Sequence, residues 1–326
     1  MRLPFHLFLF LVRLPLLITL GITYLLVLQW LPIGSLGKKA TLWMILAIPG
    51  VWWIDLQIDG VRKGSLAKNH RDRLPQPGCI IASSATSPID ALYLAAIFDP
   101  IFTATYPSTQ QVRQISLLQA IIRPFFTPEL EPPPNARLVD IADLLRLYPN
   151  HPIAIFPECT TTNGRGILPL TRSLLSIPPN TQIFPISLRY TPADVTTPVP
   201  GMPVTFLWNL LSKPTHYIRV RIAEKISSLP EMADRPTMDR RRPSSYGTNY
   251  FDTLQEDALI SSDALLGGDA DSPLTREQRG LLEQVGEALA RLGRVRRVGL
   301  GVREKREFVR VWRDGKTSLL QMILRS

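Results

Sequence analysis

Two short stretches hold the residues whose types and spacing could do chemistry. The first is Ser84-Ala85-Thr86-Ser87-Pro88-Ile89-Asp90, where one apolar run ends in small polar residues and another begins. That pattern predicts a strand, an active-site turn and a helix, with Asp90 in the first turn of the helix. A turn of this kind ordinarily needs a histidine for its chemistry, and Ala85 stands in that place. The second stretch is Phe156-Pro157-Glu158-Cys159-Thr160-Thr161-Thr162-Asn163-Gly164, after the apolar residues 153–156. Its run of small polar residues before Gly164 is expected to expose backbone N–H groups suited to phosphate, particularly where a helix begins.

Together the two stretches resemble the motifs of the glycerolipid acyltransferases, which move an acyl group from acyl-CoA to lysophosphatidic acid or glycerol 3-phosphate. The family's first motif is Asn-His, four residues and Asp, matched here by residues 84–90. Its third is Phe-Pro-Glu-Gly-Thr, matched by residues 156–160, and Phe184-Pro185-Ile186 matches a later Val/Ile-Pro-Ile motif in order and distance. The resemblance covers roughly residues 78–225 and is greatest toward the fungal lysophosphatidic acid:oleoyl-CoA branch.

The resemblance implies a glycerol-phosphate acyltransferase-like α/β fold, acyl-CoA as co-substrate with no other cofactor, and lysophosphatidic acid or a similar lysophospholipid as acceptor. Phosphatidic acid would be made at the endoplasmic reticulum membrane or a lipid droplet. Asp90 would orient or deprotonate the acceptor hydroxyl. Ser84, Ala85, Ser87, Glu158, Cys159, Thr160, Thr161, Asn163, Gly164 and Arg165 would bind substrate.

Three departures from the family pattern carry weight. Ala85 removes the base. Thr161 replaces an Arg that several members use against phosphate, which leaves Arg165, Arg123 or Arg189 for that role. Cys159 replaces a Gly, at a position that can require positive φ. It reads first as a small packed residue and second as an acyl-accepting nucleophile.

The chain has four histidines, His6, His70, His151 and His216. His151 precedes Glu158 by seven residues along a strand, about 20 Å at about 3.3 Å each, so it is not the base. His6 lies in the apolar amino terminus, and His70 is the one that sequence leaves open. A general base contributes about 10²–10⁴-fold, whereas positioning supplies about 7–11 kcal/mol. Transfer at a reduced rate is therefore expected. A catalytically silent lipid-binding or regulatory member of the fold is the second reading, and a non-enzymatic membrane-shaping or tethering protein the third.

The elements that must hold these residues are also legible. A chain of 326 residues with 45% hydrophobic content supports a large core. Cys79 and Cys159 fit neither a disulfide framework nor a metal site. Residues 14–31 carry no charge and nearly cross a bilayer core in length; a turn at 32–39 leads to a shorter apolar stretch, 40–54, with Trp43, Trp52 and Trp53. This predicts an amino-terminal membrane anchor over residues 1–58, built as a helical hairpin whose second arm is interfacial or re-entrant or spans again. A cleaved signal peptide is the alternative, against which stand the length of the apolar run and the lack of an A-x-A-like site close behind it.

Strands are expected at 78–84, 153–156, 182–190 and 217–226, and helices at 89–98, 108–122 and 138–148, giving an α/β domain over 59–228 with a mainly parallel sheet and flanking helices. Residues 229–275, rich in Asp, Ser, Pro and Gly, read as a flexible insertion. The segment 276–326 begins with a helix whose face holds Leu281, Leu282, Val285, Leu289 and Leu292. Residues 291–316 carry ten Lys or Arg against three acids, within a chain of net charge +10. A solvated face or anionic lipid accounts for that charge, and no nucleic-acid motif accompanies it.

Overall fold

A computed structural model describes residues 2–28, 35–61, 71–197, 199–228 and 275–325. At its centre, β2 (Ile80–Ser83) pairs in parallel with β6 (Ile153–Ile155) on one side and β8 (Gln182–Thr191) on the other. Every residue of β2 and β6 is buried. These runs are short and uniformly apolar because both faces of a central parallel strand are covered.

Outward lie β9 (His216–Ile222) and β1 (Val51–Ile58) on one flank, and β3 (Ile101–Ala104), β4 (Val112–Ile115) and β5 (Leu138–Val139) on the other. The sheet runs β1-β9-β8-β2-β6-β3-β4-β5, with β10 (Ile226–Ser227) added to β8. It is mixed, with a parallel centre from β8 to β3 and antiparallel pairs at β8–β9, β3–β4 and β4–β5.

Successive residues of β2 serve opposite layers. Ile81 joins Phe184 and Val220 in a core closed by α2 (Ser35–Ala47), α3 (Pro88–Phe98) and α6 (Pro203–Leu211), through Leu42, Leu46, Leu94, Phe206 and Leu211. Ile80 joins Ile153 and Ile183 on the other face, under α5 (Ile141–Leu147) and the carboxyl-terminal α7 (Arg276–Gly293). The expected leucine face of α7 is seated there through Leu281, Val285 and Leu289, so this helix packs as a layer against the sheet.

The amino terminus is one long helix and a second, shorter one. α1 (Arg2–Thr23) continues as a wider helical turn to Leu28, and Leu3–Leu28 is 26 residues, about 39 Å, long and apolar enough to cross a membrane. One side of it faces the domain: Phe10 lies 5.1 Å from Trp208, and Arg13 donates to the carbonyls of Leu211 and Pro214 at 3.3 and 3.1 Å, satisfying orphan groups past the end of α6. The other side exposes Leu3, Phe8, Leu11 and Leu26.

The stretch 40–54, expected to end as an interfacial arm, divides instead between α2 and β1. α2 buries Leu42 and Leu46, and β1 is bonded in parallel to β9 from Ile54↔Ile218 to Ile58↔Ile222, leaving Trp52 and Trp53 exposed at the sheet edge. Alternation at Ile54, Leu56 and Ile58 is the strand signal that the tryptophans obscured.

The expected helix 108–122 is likewise divided. Ser116 caps α4 (Leu117–Ile122) in a box with Gln119, which stops the helix upstream and frees residues 112–115 to pair with β3. Residues 138–148 hold β5 before α5. The expected insertion, apart from Thr275, lies outside the described residues.

Candidate active site

β2 ends at Ser83, and the chain turns through Ser84 to Ser87 into α3. Ser87 is the N-cap, accepting from the Ile89 N–H at 3.4 Å and donating to the Val195 carbonyl at 2.7 Å. Pro88 follows at the first helical turn, where its missing N–H costs nothing. Asp90, the third helical residue, turns its carboxylate back onto the loop: Oδ2 accepts from the N–H groups of Thr86 at 2.6 Å and Ser87 at 2.9 Å, and Oδ1 from the hydroxyl of Tyr190 in β8. The group is 1% exposed. Burial pushes it up to about 6 against the opposing pull of these donors, Tyr190 first.

The second loop leaves β6 and carries Glu158, also 1% exposed. Its Oε2 accepts from the Leu168 N–H at 3.0 Å, while Oε1 is buried without a partner among the described residues. Burial raises this carboxyl to about 8, against the N–H groups of Leu168 and Ala85 and the charge of Lys305.

Lys305 arrives from the last helix, α8 (Val302–Arg325). Its ammonium donates to Thr160 Oγ1 at 2.7 Å and to the Thr161 carbonyl. Burial lowers Lys305 to about 8, opposed by attraction to Glu158. Desolvation thus drives both partners toward neutrality, and their mutual attraction offsets only part of that drive.

Between the two loops lies a cavity of about 310 Å³, lined by Ala85, Ser87, Asp90, Cys159, Thr160 and Thr161 among others. Further round the wall come Tyr106, Arg113 and Arg123, and the apolar Ile115, Leu118, Ile122 and Phe126. Arg123 sits 5.0 Å from the centre of the Tyr106 ring and donates to the Thr105 carbonyl at 3.2 Å. The Tyr106 hydroxyl is buried and unpartnered among the described residues.

Several sequence expectations change. No helix begins after Gly164; the chain enters the short strand β7 (Gly166–Ile167), and the N–H groups of Thr162, Gly164 and Arg165 are taken by Ala85 O, Thr162 Oγ1 and Asn163 Oδ1 at 2.8, 3.2 and 3.0 Å. Asn163 and Arg165 are exposed and do not line the cavity, nor do Ser84, Gly164 and the fully buried Glu158, which was expected to bind substrate. Arg189 donates to the Gly293 carbonyl at 2.8 Å, beyond the site. Of the three arginines considered for phosphate, Arg123 alone lines the cavity.

Cys159 does take positive φ, 57°, as a residue in a glycine position must. Its sulfur lies 3.0 Å from Thr105 Oγ1, and burial pushes the thiol up to about 11, which leaves it protonated and poorly nucleophilic.

The described histidines serve the scaffold. His6 bonds the Ser212 carbonyl at 2.6 Å, His151 that of Asp99 at 2.9 Å and His216 that of Leu210 at 2.8 Å. His70 lies outside the described residues. Among the described residues no cluster of three His, Cys, Asp or Glu could hold a metal ion.

Lys305 and Tyr106 are the site residues that sequence reasoning missed. Lys305 shares a helical face with the buried Val302 and Val309, and a lone charge on an apolar stripe was the available signal.

No protein-family profile matches the chain, and no solved structure does. Over 152 residues it is 30% identical to a Schizosaccharomyces pombe protein named "Putative lysophosphatidic acid:oleoyl-CoA acyltransferase". That similarity supports the acyltransferase assignment. The match covers 45% of this chain and 49% of the relative, so the chain spans about half the length of the curated protein it matches. The two stretches that resemble acyltransferase motifs form loops that face each other across the cavity, one after β2 and one after β6, at the strand ends where α/β sheets bind ligands.

Proposed function

We propose that the protein transfers a fatty acyl group from acyl-CoA to lysophosphatidic acid or a similar lysophospholipid, making phosphatidic acid at a membrane. The observation that carries this reading is the single cavity that gathers Asp90, Thr160 and Thr161 with Arg123 and an apolar wall. An amphiphile needs both surfaces. Ile115, Leu118, Ile122 and Phe126 suit an acyl chain, and Arg123 suits a phosphate. The exposed apolar side of α1 would keep the site at the depth where both substrates reside.

In the reaction the acceptor hydroxyl forms an ester bond to the thioester carbon, the C–S bond breaks, and the hydroxyl proton ends on the CoA sulfur. With Ala85 in place of an imidazole, Asp90 is the wall group that would receive the proton in transit, directly or through water. Its basicity, raised by burial to about 6, is nearer neutral pH than that of an ordinary carboxylate, which favours proton transfer. The four donors around it, the N–H groups of Thr86 and Ser87 and the hydroxyls of Thr86 and Tyr190, are a cost to that role, because each stabilises the ionised form.

That cost supports a second reading, a catalytically silent member that binds lysophospholipid or acyl-CoA. The test is acyl transfer from oleoyl-CoA to lysophosphatidic acid by the full chain in detergent, beside Ala85→His. Transfer by the unmodified chain supports the enzyme; transfer only after Ala85→His supports the silent binder.

A further inference from the structure

Among the described residues, the cavity between the motif loops is not the only one that arginines line. Along α8, Arg303, Arg306, Arg310 and Arg313 recur at intervals of three, four and three residues, which puts them on one stripe of the helix. All four line a second cavity, of about 640 Å³, whose far wall is Thr127 and Leu130. Glu307 and Asp314 line it as well, so the arginines outnumber the acids by two. Among the described residues neither Arg306 nor Arg310 has an ion pair, and Arg313 lies 3.5 Å from Thr127 Oγ1.

Two connections tie this groove to the motif cavity. Thr127 lines both. The helix that bears the arginines also sends Lys305 to Thr160, and Arg313 lies roughly 12 Å further along it at about 1.5 Å per residue.

We propose that the arginine groove binds the phosphate groups at the nucleotide end of CoA. This rests on the acyl-CoA reading above and deepens it by assigning the donor its anchoring site. Fork-shaped guanidinium groups spaced along a helix suit a ligand that carries a diphosphate and a separate phosphate monoester, and the groove's volume is in the range of small-molecule sites. The flexible pantetheine arm would pass Thr127 to bring the thioester into the motif cavity. Lipid phosphate offers the same chemistry from another source, and the exposed Phe308, Val311 and Trp312 nearby make it the competing occupant.

The test is equilibrium binding of CoA and of dephospho-CoA to the full chain in detergent, for the unmodified protein and for Arg306→Ala/Arg310→Ala, with vesicles of phosphatidylserine as a parallel arm. Both arginines are exposed, so the variant should fold, and an unchanged melting temperature verifies it. The expected result is CoA binding weakened at least about tenfold in the variant, together with loss of the preference for CoA over dephospho-CoA. Equal CoA binding by both proteins would overturn the groove while leaving the donor reading intact. Weakened vesicle binding with unchanged CoA binding would overturn it in favour of a lipid headgroup. CoA binding by neither protein would overturn the groove and the donor reading together, whereas loss of the acyltransferase activity alone would leave the groove standing.

Discussion

The Lys305 ammonium donates to Thr160 Oγ1 at 2.7 Å across 145 residues of sequence, so the last helix reaches the second of the two motif loops. The same ammonium bonds the carbonyl of Thr161, the position at which the motif resemblance leads one to expect Arg. A positive charge is thus restored to the loop from another part of the chain.

Lys305→Met should lower kcat/KM for lysophosphatidic acid at least about tenfold, since it removes charge-assisted bonds at a buried site. Lys305→Arg should recover part of the loss. Comparison with an uncharged monoacylglycerol acceptor checks the electrostatic role: the loss should be smaller there, and an equal loss would make Lys305 a purely structural clamp.

Asp90 and Tyr190 form a second long-range pair, joining the motif turn to β8. Tyr190→Phe should cost about 1.5–3 kcal/mol of stability, the net worth of a buried bond to a charged acceptor. Asp90→Asn should cost more, because the N–H groups of Thr86 and Ser87 lose their shared acceptor. Denaturant titration in detergent measures both, and a Tyr190→Phe protein as stable as the parent would show that the contact is not formed.

The parts of this site written in local sequence were readable, and those built by tertiary contact were not. Ser87-Pro88-Ile89-Asp90 is a capping box by residue type alone, and the fully apolar runs of β2 and β6 announce central strands. β4 was hidden because four residues followed by a capped helix fit a helical pattern as well as a strand. β1 was hidden because edge-strand tryptophans look like a membrane interface. The phosphate cradle expected at residues 160–165 failed for a related reason: Asn163 and Thr162 satisfy local N–H groups that spacing alone leaves open. For Lys305 the sequence offers only a lone charge on the stripe of Val302 and Val309; its place beside Thr160 comes from the fold.

Glu158 makes stability depend on pH in a definite direction. Its folded-state value, about 8, lies above the ordinary 4.5, so the folded protein holds the extra proton. That contribution is fully present below about 4.5 and is lost as pH rises through about 8. Relative to Glu158→Gln, the unmodified protein should therefore lose melting temperature between these limits. A difference between the two proteins that stays flat with pH would mean that Glu158 is ionised throughout.

Cys159 should be dispensable for chemistry. With its thiol held protonated, Cys159→Ala should keep transfer within about threefold, a change of under about 1 kcal/mol, while Cys159→Gly should also relieve the strained backbone at φ 57°. Trapping of an acylated enzyme, lost in Cys159→Ala together with turnover, would contradict this assignment.

The most direct test of the account is radiolabelled acyl transfer from oleoyl-CoA to lysophosphatidic acid by the purified chain, with Asp90→Ala, Glu158→Ala, Arg123→Ala and Ala85→His alongside. The account predicts phosphatidic acid from the unmodified protein, abolished or nearly so in the first three variants and accelerated in the last. No product from the unmodified protein, with activity appearing only in Ala85→His, would contradict it and leave the cavity as a binding site.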